Sequence, residues 1–132
     1  MGGLTLDTSA LIALEGKRKG MSEVVRVAAD AGVRITAPAN AVAEWWRGRT
    51  DRRDYVLGMC VVKDVDAKIA KLAGEALAGF DGDVNAKLTI DATVMATAAL
   101  YGPNLYTGDF DDMARLVDFF PAVRIFGLRL PG

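Results

Sequence analysis

The sequence predicts a single α/β domain in which a mostly parallel central sheet is covered by helices on both faces. Short apolar runs with β-forming residues alternate with longer helical segments along the chain, an order typical of parallel sheets. A length of 132 residues suits one domain, and 52% hydrophobic residues are enough to fill its core. The chain has no internal repeat, low-complexity tract or linker, so we expect one domain over residues 1–132.

Five strands and seven helices are expected from apolar periodicity and from the residues that cap or break each segment. The predicted strands are Leu4–Leu6, Val33–Thr36, Val61–Val62, Leu105–Thr107 and Val123–Phe126. Four predicted helices have definite bounds: Ser9–Leu14, Asp51–Gly58, Ala67–Leu77 and Ala86–Leu100. Two more lie between the first and second of these, one from Ser22 to just before Gly32 and one that has Pro38 in its first turn and ends near Gly48. The seventh begins at Asp111 or Asp112 and ends at Val117.

The composition excludes several kinds of chemistry. The chain has no histidine, which excludes histidine bases, histidine nucleophiles and most zinc sites. Its one cysteine, Cys60, cannot form an internal disulfide and is expected to be buried filler. An enzyme of this composition must therefore work with carboxylates or hydroxyls.

Charge and hydropathy bear on partners and location. A net charge of −1 excludes a polycation that coats nucleic acid by charge alone, although local basic clusters remain compatible with binding. Asp7 interrupts the N-terminal region before the apolar stretch of a signal peptide can form. The longest weakly polar run, 92–101, is shorter than the roughly 18 residues of a membrane span. We therefore expect a cytoplasmic protein without a membrane contact.

Four acidic residues have unusual positions. Asp7 and Asp109 follow the first and fourth predicted strands, and ligands of open α/β sheets bind beyond such strand ends. Asp91 and Glu44 lie within apolar helical segments, where an ionised carboxylate is costly unless a cation meets it. The structural alternatives are helix caps for Asp7 and Asp109, a solvent face for Asp91, and an ion pair with Arg47 or Arg49 for Glu44.

A cluster of these acids would favour a particular class of metal ion. Converging carboxylates repel one another unless a cation binds or protons remain. Oxygen ligands without histidine or thiolate select Mg²⁺ or Mn²⁺. Such an ion activates water and neutralises phosphate charge, and neither step requires a histidine.

Four short segments, taken in order, carry a resemblance to a known family. They are Leu6–Leu11, Ala43–Glu44, Ile90–Ala92 and Tyr106–Asp109. In order and spacing they resemble the conserved blocks of PIN domains, and the chain looks most like the VapC ribonuclease toxins of bacterial toxin–antitoxin pairs. The likeness extends from Leu4 to Phe126. It implies a PIN-like fold and a Mg²⁺- or Mn²⁺-dependent endoribonuclease that hydrolyses phosphodiester bonds of RNA.

The resemblance also assigns roles to residues. The catalytic and metal-binding acids would be Asp7, Glu44, Asp91 and Asp109. The residues that would support this site are Thr8, Ser9, Asn40, Thr107 and Asp112. Asn40, one helical turn before Glu44, has a purely structural role as its alternative.

The expected partners are RNA, a cognate VapB-like antitoxin and a second copy of the chain in a homodimer. The last two follow from the resemblance alone. The arginines that would guide the RNA backbone are Arg47, Arg49, Arg52 and Arg53. The alternative for this cluster is a solvated turn whose charges are balanced by Asp51 and Asp54. We expect one of the adjacent Trp45 and Trp46 to be buried in the core, since helical neighbours point about 100° apart.

Two other functions fit parts of the sequence. A PIN-like protein without catalysis would bind RNA or a protein partner, but such members usually lack one or more acids, and all four are present here. The strand followed by Asp7 and Thr8 is also compatible with a phosphatase that uses an aspartyl nucleophile. Those enzymes have a second acid where this chain has Ser9.

Overall fold

A computed structural model describes residues 2–128, so Met1 and residues 129–132 of the predicted domain lie outside the described residues. The strands are β1 (Leu4–Leu6), β2 (Ile35–Pro38), β3 (Val61–Lys63), β4 (Asn104–Thr107) and β5 (Arg124–Gly127). The helices are α1 (Thr8–Glu15), α2 (Lys19–Asp30), α3 (Ala39–Trp45), α4 (Asp51–Gly58), α5 (Ala67–Gly79), α6 (Ala86–Tyr101) and α7 (Phe110–Ala114). A 3₁₀ turn follows at Val117–Phe119.

The five strands form one sheet in the order β3-β2-β1-β4-β5, and every pair is parallel. The predicted α/β class is confirmed, and the sheet is wholly rather than mostly parallel. The first three strands are added in sequence order on one side of β1. The chain then returns through α5 and α6, and β4 pairs with the other side of β1. The direction of winding therefore reverses between β1 and β4, the place where ligands bind in such sheets.

The helices pack in two groups, each with its own apolar core. One core joins β1 and β2 to α1, α2, α3 and α4, and the other joins α5, α6 and α7 to β4. All three residues of β1 are buried, because this central strand is covered by both groups. Along the part of the chain that the structure describes, none of the helices combines the length and apolar character needed to cross a membrane.

A glycine fixes how β4 comes to lie beside β1. The Thr5 hydroxyl donates a 2.7 Å hydrogen bond to the carbonyl of Gly102, between α6 and β4. A Cβ on Gly102 would lie 2.5 Å from the Leu4 carbonyl oxygen, so no side chain fits there. This close approach lets β4 pair with β1 from Leu4↔Asn104 to Leu6↔Tyr106. The residues after the two strands are thereby brought together.

Several predicted boundaries were wrong: β2 starts at Ile35 rather than Val33, α3 ends at Trp45 rather than near Gly48, and three further differences have a local cause. Pro38 ends β2 instead of lying in the first turn of α3, and the strand tolerates it because β1 pairs with β2 only as far as Thr36. The second helix begins at Lys19, before the predicted Ser22, since Lys17 turns the chain with a positive φ of 58°. The last helix ends at Ala114, and the chain continues as a 3₁₀ turn beyond the predicted end at Val117.

Candidate metal centre

All four acids predicted from the sequence line one cleft, of about 500 Å³, beyond the ends of β1 and β4. The cleft is lined by Asp7, Thr8, Ser9, Glu44, Lys87, Ile90, Asp91, Val94, Asp109 and Met113. The acids come from different elements: Asp7 follows β1, Asp109 follows β4, Glu44 lies on α3 and Asp91 on α6. The fold thus brings together side chains that are far apart in the sequence.

Asp7 is almost completely buried, with 4% of its surface exposed. One carboxylate oxygen accepts a 3.2 Å hydrogen bond from the Ala10 amide, so Asp7 caps α1 as the structural alternative expected. The other oxygen accepts a hydrogen bond from the Thr107 hydroxyl. Burial raises the pKa of Asp7 to about 6, although these hydrogen bonds work against the rise, and the nearby charge of Asp109 adds to it. Asp7 is therefore a cap and an acid whose charge is poorly compensated.

Asp109 lies at the exposed end of the cleft, at the residue before α7. Its side chain makes no capping hydrogen bond to that helix, which removes the structural alternative considered for it. Instead its backbone amide donates a 2.9 Å hydrogen bond to the Thr107 hydroxyl oxygen. Thr107 consequently links both strand-end acids, since the same hydroxyl donates to Asp7.

Asp91 is buried in the middle of α6, with 6% of its surface exposed, so the solvent-face alternative is excluded. Its Oδ2 accepts a 3.1 Å contact from Lys87 Nζ. Burial raises the pKa of Asp91, the Lys87 ammonium acts in the opposite direction, and Asp112 and Asp109 raise the pKa further. Asp91 thus keeps a raised pKa despite its lysine partner.

Lys87 is the cleft residue that the sequence reasoning missed. Its Nζ lies 3.1 Å from Asp91 Oδ2 and 3.1 Å from Asp112 Oδ2, joining α6 to α7. Burial lowers the pKa of Lys87, but the two carboxylates outweigh burial and the net shift is upward. The sequence did contain a signal for this contact: Lys87 lies four residues before Asp91, and residues four apart on a helix are neighbours.

Glu44 is exposed on α3 at the side of the cleft. The expected ion-pair alternative is not found: Arg47 donates a 3.2 Å hydrogen bond to the Glu44 backbone carbonyl, and Arg49 pairs with Asp54 at 2.7 Å. Within residues 2–128 the Glu44 carboxylate takes part in no ion pair. It can therefore turn toward the cleft at little cost.

The supporting residues predicted from the sequence have different surroundings. Thr8 and Ser9 line the cleft, and Ser9 packs so closely on Gly108 that a Cβ there would lie 2.9 Å from the Ser9 Cβ. Asn40 does not line it; its amide donates a 2.6 Å hydrogen bond to the Thr93 hydroxyl. Asp112 reaches the cleft through its contact with Lys87.

The arginine cluster lies apart from the cleft lining. Arg52 donates hydrogen bonds to the carbonyls of Leu14 and Glu15, at 2.7 and 3.2 Å, at the end of α1. Arg53 pairs with the Glu15 carboxylate at 3.2 Å, and the same carboxylate accepts a 2.7 Å hydrogen bond from the indole of Trp45. These contacts give Arg52 and Arg53 internal roles, where the sequence reasoning had assigned both to RNA.

The cleft has the donor set of a hard divalent cation, since its acidic lining residues supply carboxylate oxygens only. As the side chains stand, however, residues 2–128 contain no group of three acids, cysteines or histidines arranged to hold a metal ion. Lys87 already engages one of the buried acids, and Glu44 is free of ion pairs in the same range. The residues fit Mg²⁺ or Mn²⁺ by chemistry, and binding requires their side chains to turn toward one another.

Comparison with known proteins agrees with this architecture. Among solved structures, the chain is similar to a chain of the DNA-bound VapBC of Salmonella typhimurium, with 17% identity and a TM-score of 0.68. The alignment covers 96% of this chain and 98% of that chain, which shows a shared fold. Comparison with curated protein sequences gives no match. The sequence model of the PIN domain matches residues 4–118, which include all four cleft acids. The chain therefore belongs to the PIN-domain family.

Proposed function

We propose that the protein is a Mg²⁺- or Mn²⁺-dependent endoribonuclease and the toxin of a toxin–antitoxin pair. The observation that carries the proposal is the convergence of four acids on one cleft at the reversal point of the sheet. Asp7, Glu44, Asp91 and Asp109 would hold the metal. Membership of the PIN-domain family supports a hydrolase acting on phosphodiester bonds, and the likeness to a VapBC chain supports the pairing with an antitoxin.

Some cleft residues would bind the metal ion, and others hold those residues in position. When bound, Mg²⁺ or Mn²⁺ would supply activation of water and neutralisation of phosphate charge. Thr107 holds Asp7 and the backbone of Asp109 in a fixed relation, so that two of the acids stay at the same end of the cleft. Burial raises the pKa of Asp7 to about 6 in the metal-free protein, so its negative charge is costly there and a bound cation would relieve that cost.

The surroundings of the cleft suggest how partners bind. Arg47 and Arg49 are exposed next to α3, so their guanidinium groups are accessible to RNA phosphates. A VapB-like antitoxin would present an apolar helix, with a basic side chain directed at Asp7 and Asp109. Following the family resemblance, we expect a homodimer that acts in the cytoplasm.

Cleavage of RNA by the purified protein tests the proposal. RNA should be cut with Mg²⁺ or Mn²⁺, remain intact with EDTA, and remain intact with the Asp7→Asn, Asp91→Asn double variant. Asp30→Asn is the matched control, because this acid forms only an exposed pair with Arg26 on α2. RNA that binds but stays intact with metal would favour the non-catalytic binding module. Hydrolysis of a generic phosphomonoester with no RNA cleavage would favour the aspartyl-nucleophile phosphatase.

A further inference from the structure

The Lys87 ammonium occupies a position shared by two acids of the cleft. It lies 3.1 Å from Asp91 on its own helix and 3.1 Å from Asp112 on α7. The Lys87 side chain is 58% exposed and that of Asp91 only 9%, so a long flexible chain brings charge from the solvent to a buried carboxylate. Lys87 is also the one basic residue among those that line the cleft in the described part of the chain.

This contact conflicts with metal binding at Asp91. The oxygen that accepts from Lys87 is Asp91 Oδ2, and a cation held by this carboxylate would meet the ammonium charge at close range. Two positive groups at one carboxylate repel each other, so the stronger cation displaces the weaker. Asp112 offers the ammonium a second partner, 43% exposed, to which it can remain bound when it leaves Asp91.

We propose that Lys87 is a built-in counter-ion that competes with the divalent cation for Asp91, with Asp112 retaining the displaced ammonium at the cleft. This inference rests on the proposed function, because it needs a metal ion at Asp91. Lys87 stabilises the metal-free protein by balancing a buried charge, and by the same contact it weakens metal binding. The lysine is therefore a positioning residue that sets the metal concentration at which the site fills.

Removal of the lysine should change two properties in opposite directions. We expect Lys87→Met to bind Mn²⁺ about fivefold more tightly in calorimetry, the effect of releasing one partly exposed ion pair. The metal-free variant should melt about 4 °C lower, because Asp91 loses its counter-ion. Lys19→Met is the matched control, since it removes the same charge from the start of α2 in the other helical group, and both values should stay at the wild-type level.

A double-mutant cycle with Asp112→Asn separates direct competition from long-range repulsion. Without Asp112 the ammonium has only Asp91 as its carboxylate partner, and the metal must displace it from its sole contact. The gain from Lys87→Met should therefore be larger in the Asp112→Asn background than in the wild type. An equal gain in both backgrounds would mean that Lys87 acts only through its distant charge, and would overturn the proposal.

The remaining outcomes distinguish this inference from the proposed function. If wild-type protein binds Mn²⁺ and Asp91→Asn does not, the metal site stands. In that case, unchanged or weaker Mn²⁺ binding by Lys87→Met overturns the proposed competition and leaves the proposed function intact. If the wild type binds no Mn²⁺, the proposed function fails and the competition fails with it. Tighter binding by Lys87→Met, together with its lower melting temperature, supports the inference.

Discussion

Helix α1 carries an acid at each end, and the two acids have opposite surroundings. Asp7 precedes the helix and Glu15 is its last residue. Burial raises the pKa of Asp7 to about 6, with hydroxyl and amide hydrogen bonds but, among residues 2–128, no cation paired with it. The hydrogen bond from Arg53 lowers the pKa of Glu15, with further contributions from Trp45 and Arg52.

The two acids differ in how far their charge is compensated, and this difference marks Asp7 rather than Glu15 as the candidate for chemistry. Glu15 lies at the helix end where a negative charge is unfavourable, but Arg53 pairs with its carboxylate and the nearby charge of Arg52 also stabilises it. Asp7 lies at the favourable end, yet its charge is destabilised by burial and by a second acid. Uncompensated charge in a cleft costs stability, and proteins retain it where chemistry requires it.

The largest difference in RNA cleavage should come from neutralising, one at a time, the acids at the two ends of α1. Asp7→Asn keeps a capping oxygen for Ala10 but loses the anionic ligand, so we expect RNA cleavage to fall at least about 100-fold. Glu15→Gln should leave cleavage within about twofold of the wild type, since Glu15 does not line the cleft. Cleavage rates at saturating Mn²⁺ measure both. Equal losses in the two variants would remove the distinction between the two ends.

The second prediction concerns the stability of the metal-free protein against pH. Asp7 has a higher pKa when folded, so the folded state binds its proton more strongly, and stability falls as pH rises from about 4 to 6. The loss should be about 3 kcal/mol, from a pKa difference of about two units. Denaturant unfolding in EDTA should show a loss larger by this amount in the wild type than in Asp7→Asn, which keeps the part of the decline that comes from the raised pKa of Asp91. A decline of the same size in both proteins would assign it to other groups.

The third prediction concerns the other end of α1. Arg52→Met removes two hydrogen bonds to the last carbonyls of the helix and should lower the free energy of unfolding by about 2 kcal/mol. Mn²⁺ affinity should be unchanged, because Arg52 is not near the cleft lining. Arg26→Met is the control, since Arg26 forms an exposed pair only. Full stability of Arg52→Met together with weakened RNA binding would return Arg52 to the RNA role predicted from the sequence.

The smallest effect should be in the salt dependence of RNA binding. Arg47 and Arg49 are the exposed members of the arginine cluster, and each phosphate contact contributes about 0.7 to 0.9 to the slope of log K against log salt. Replacing both by Ala should therefore reduce the slope by about 1 to 2 while Mn²⁺ affinity stays constant. Binding at several salt concentrations measures the slope, with the Asp7→Asn background used to prevent cleavage. An unchanged slope would make the cluster a purely structural feature.

The sequence predicted which acids lie in one cleft better than it predicted the partners of individual charges. Parallel strands bring like ends together, so Asp7 and Asp109 could be placed in one crevice from two short apolar runs. The apolar surroundings of Asp91 likewise indicated a buried face. Side-chain partners were harder, because Arg53 meets Glu15 across 38 residues of sequence. Nothing near Arg53 distinguishes that pairing from a role in RNA binding.

Local geometry explains the remaining differences. Pro38 suits either the end of a strand or the start of a helix, and the choice depends on how far β1 extends beside it. Lys87 has the spacing of a partner for Asp91, but its second contact, to Asp112, requires α7 to pack beside α6. Such contacts depend on how the helices are arranged, which the periodicity of each segment alone does not specify.

The pairing of β1 with β4 has a consequence for synthesis of the chain. Proteins emerge from the ribosome N-terminus first, so Asp7 appears well before the residues of β4. Its partner Thr107, which lies 100 residues later, and Asp109 are made only after β1, β2 and β3. The cleft therefore cannot assemble on a chain that stops before β4, because Thr107 and Asp109 are then missing. For the proposed nuclease, the ability to cut RNA would therefore depend on synthesis of β4 and of the acid that follows it.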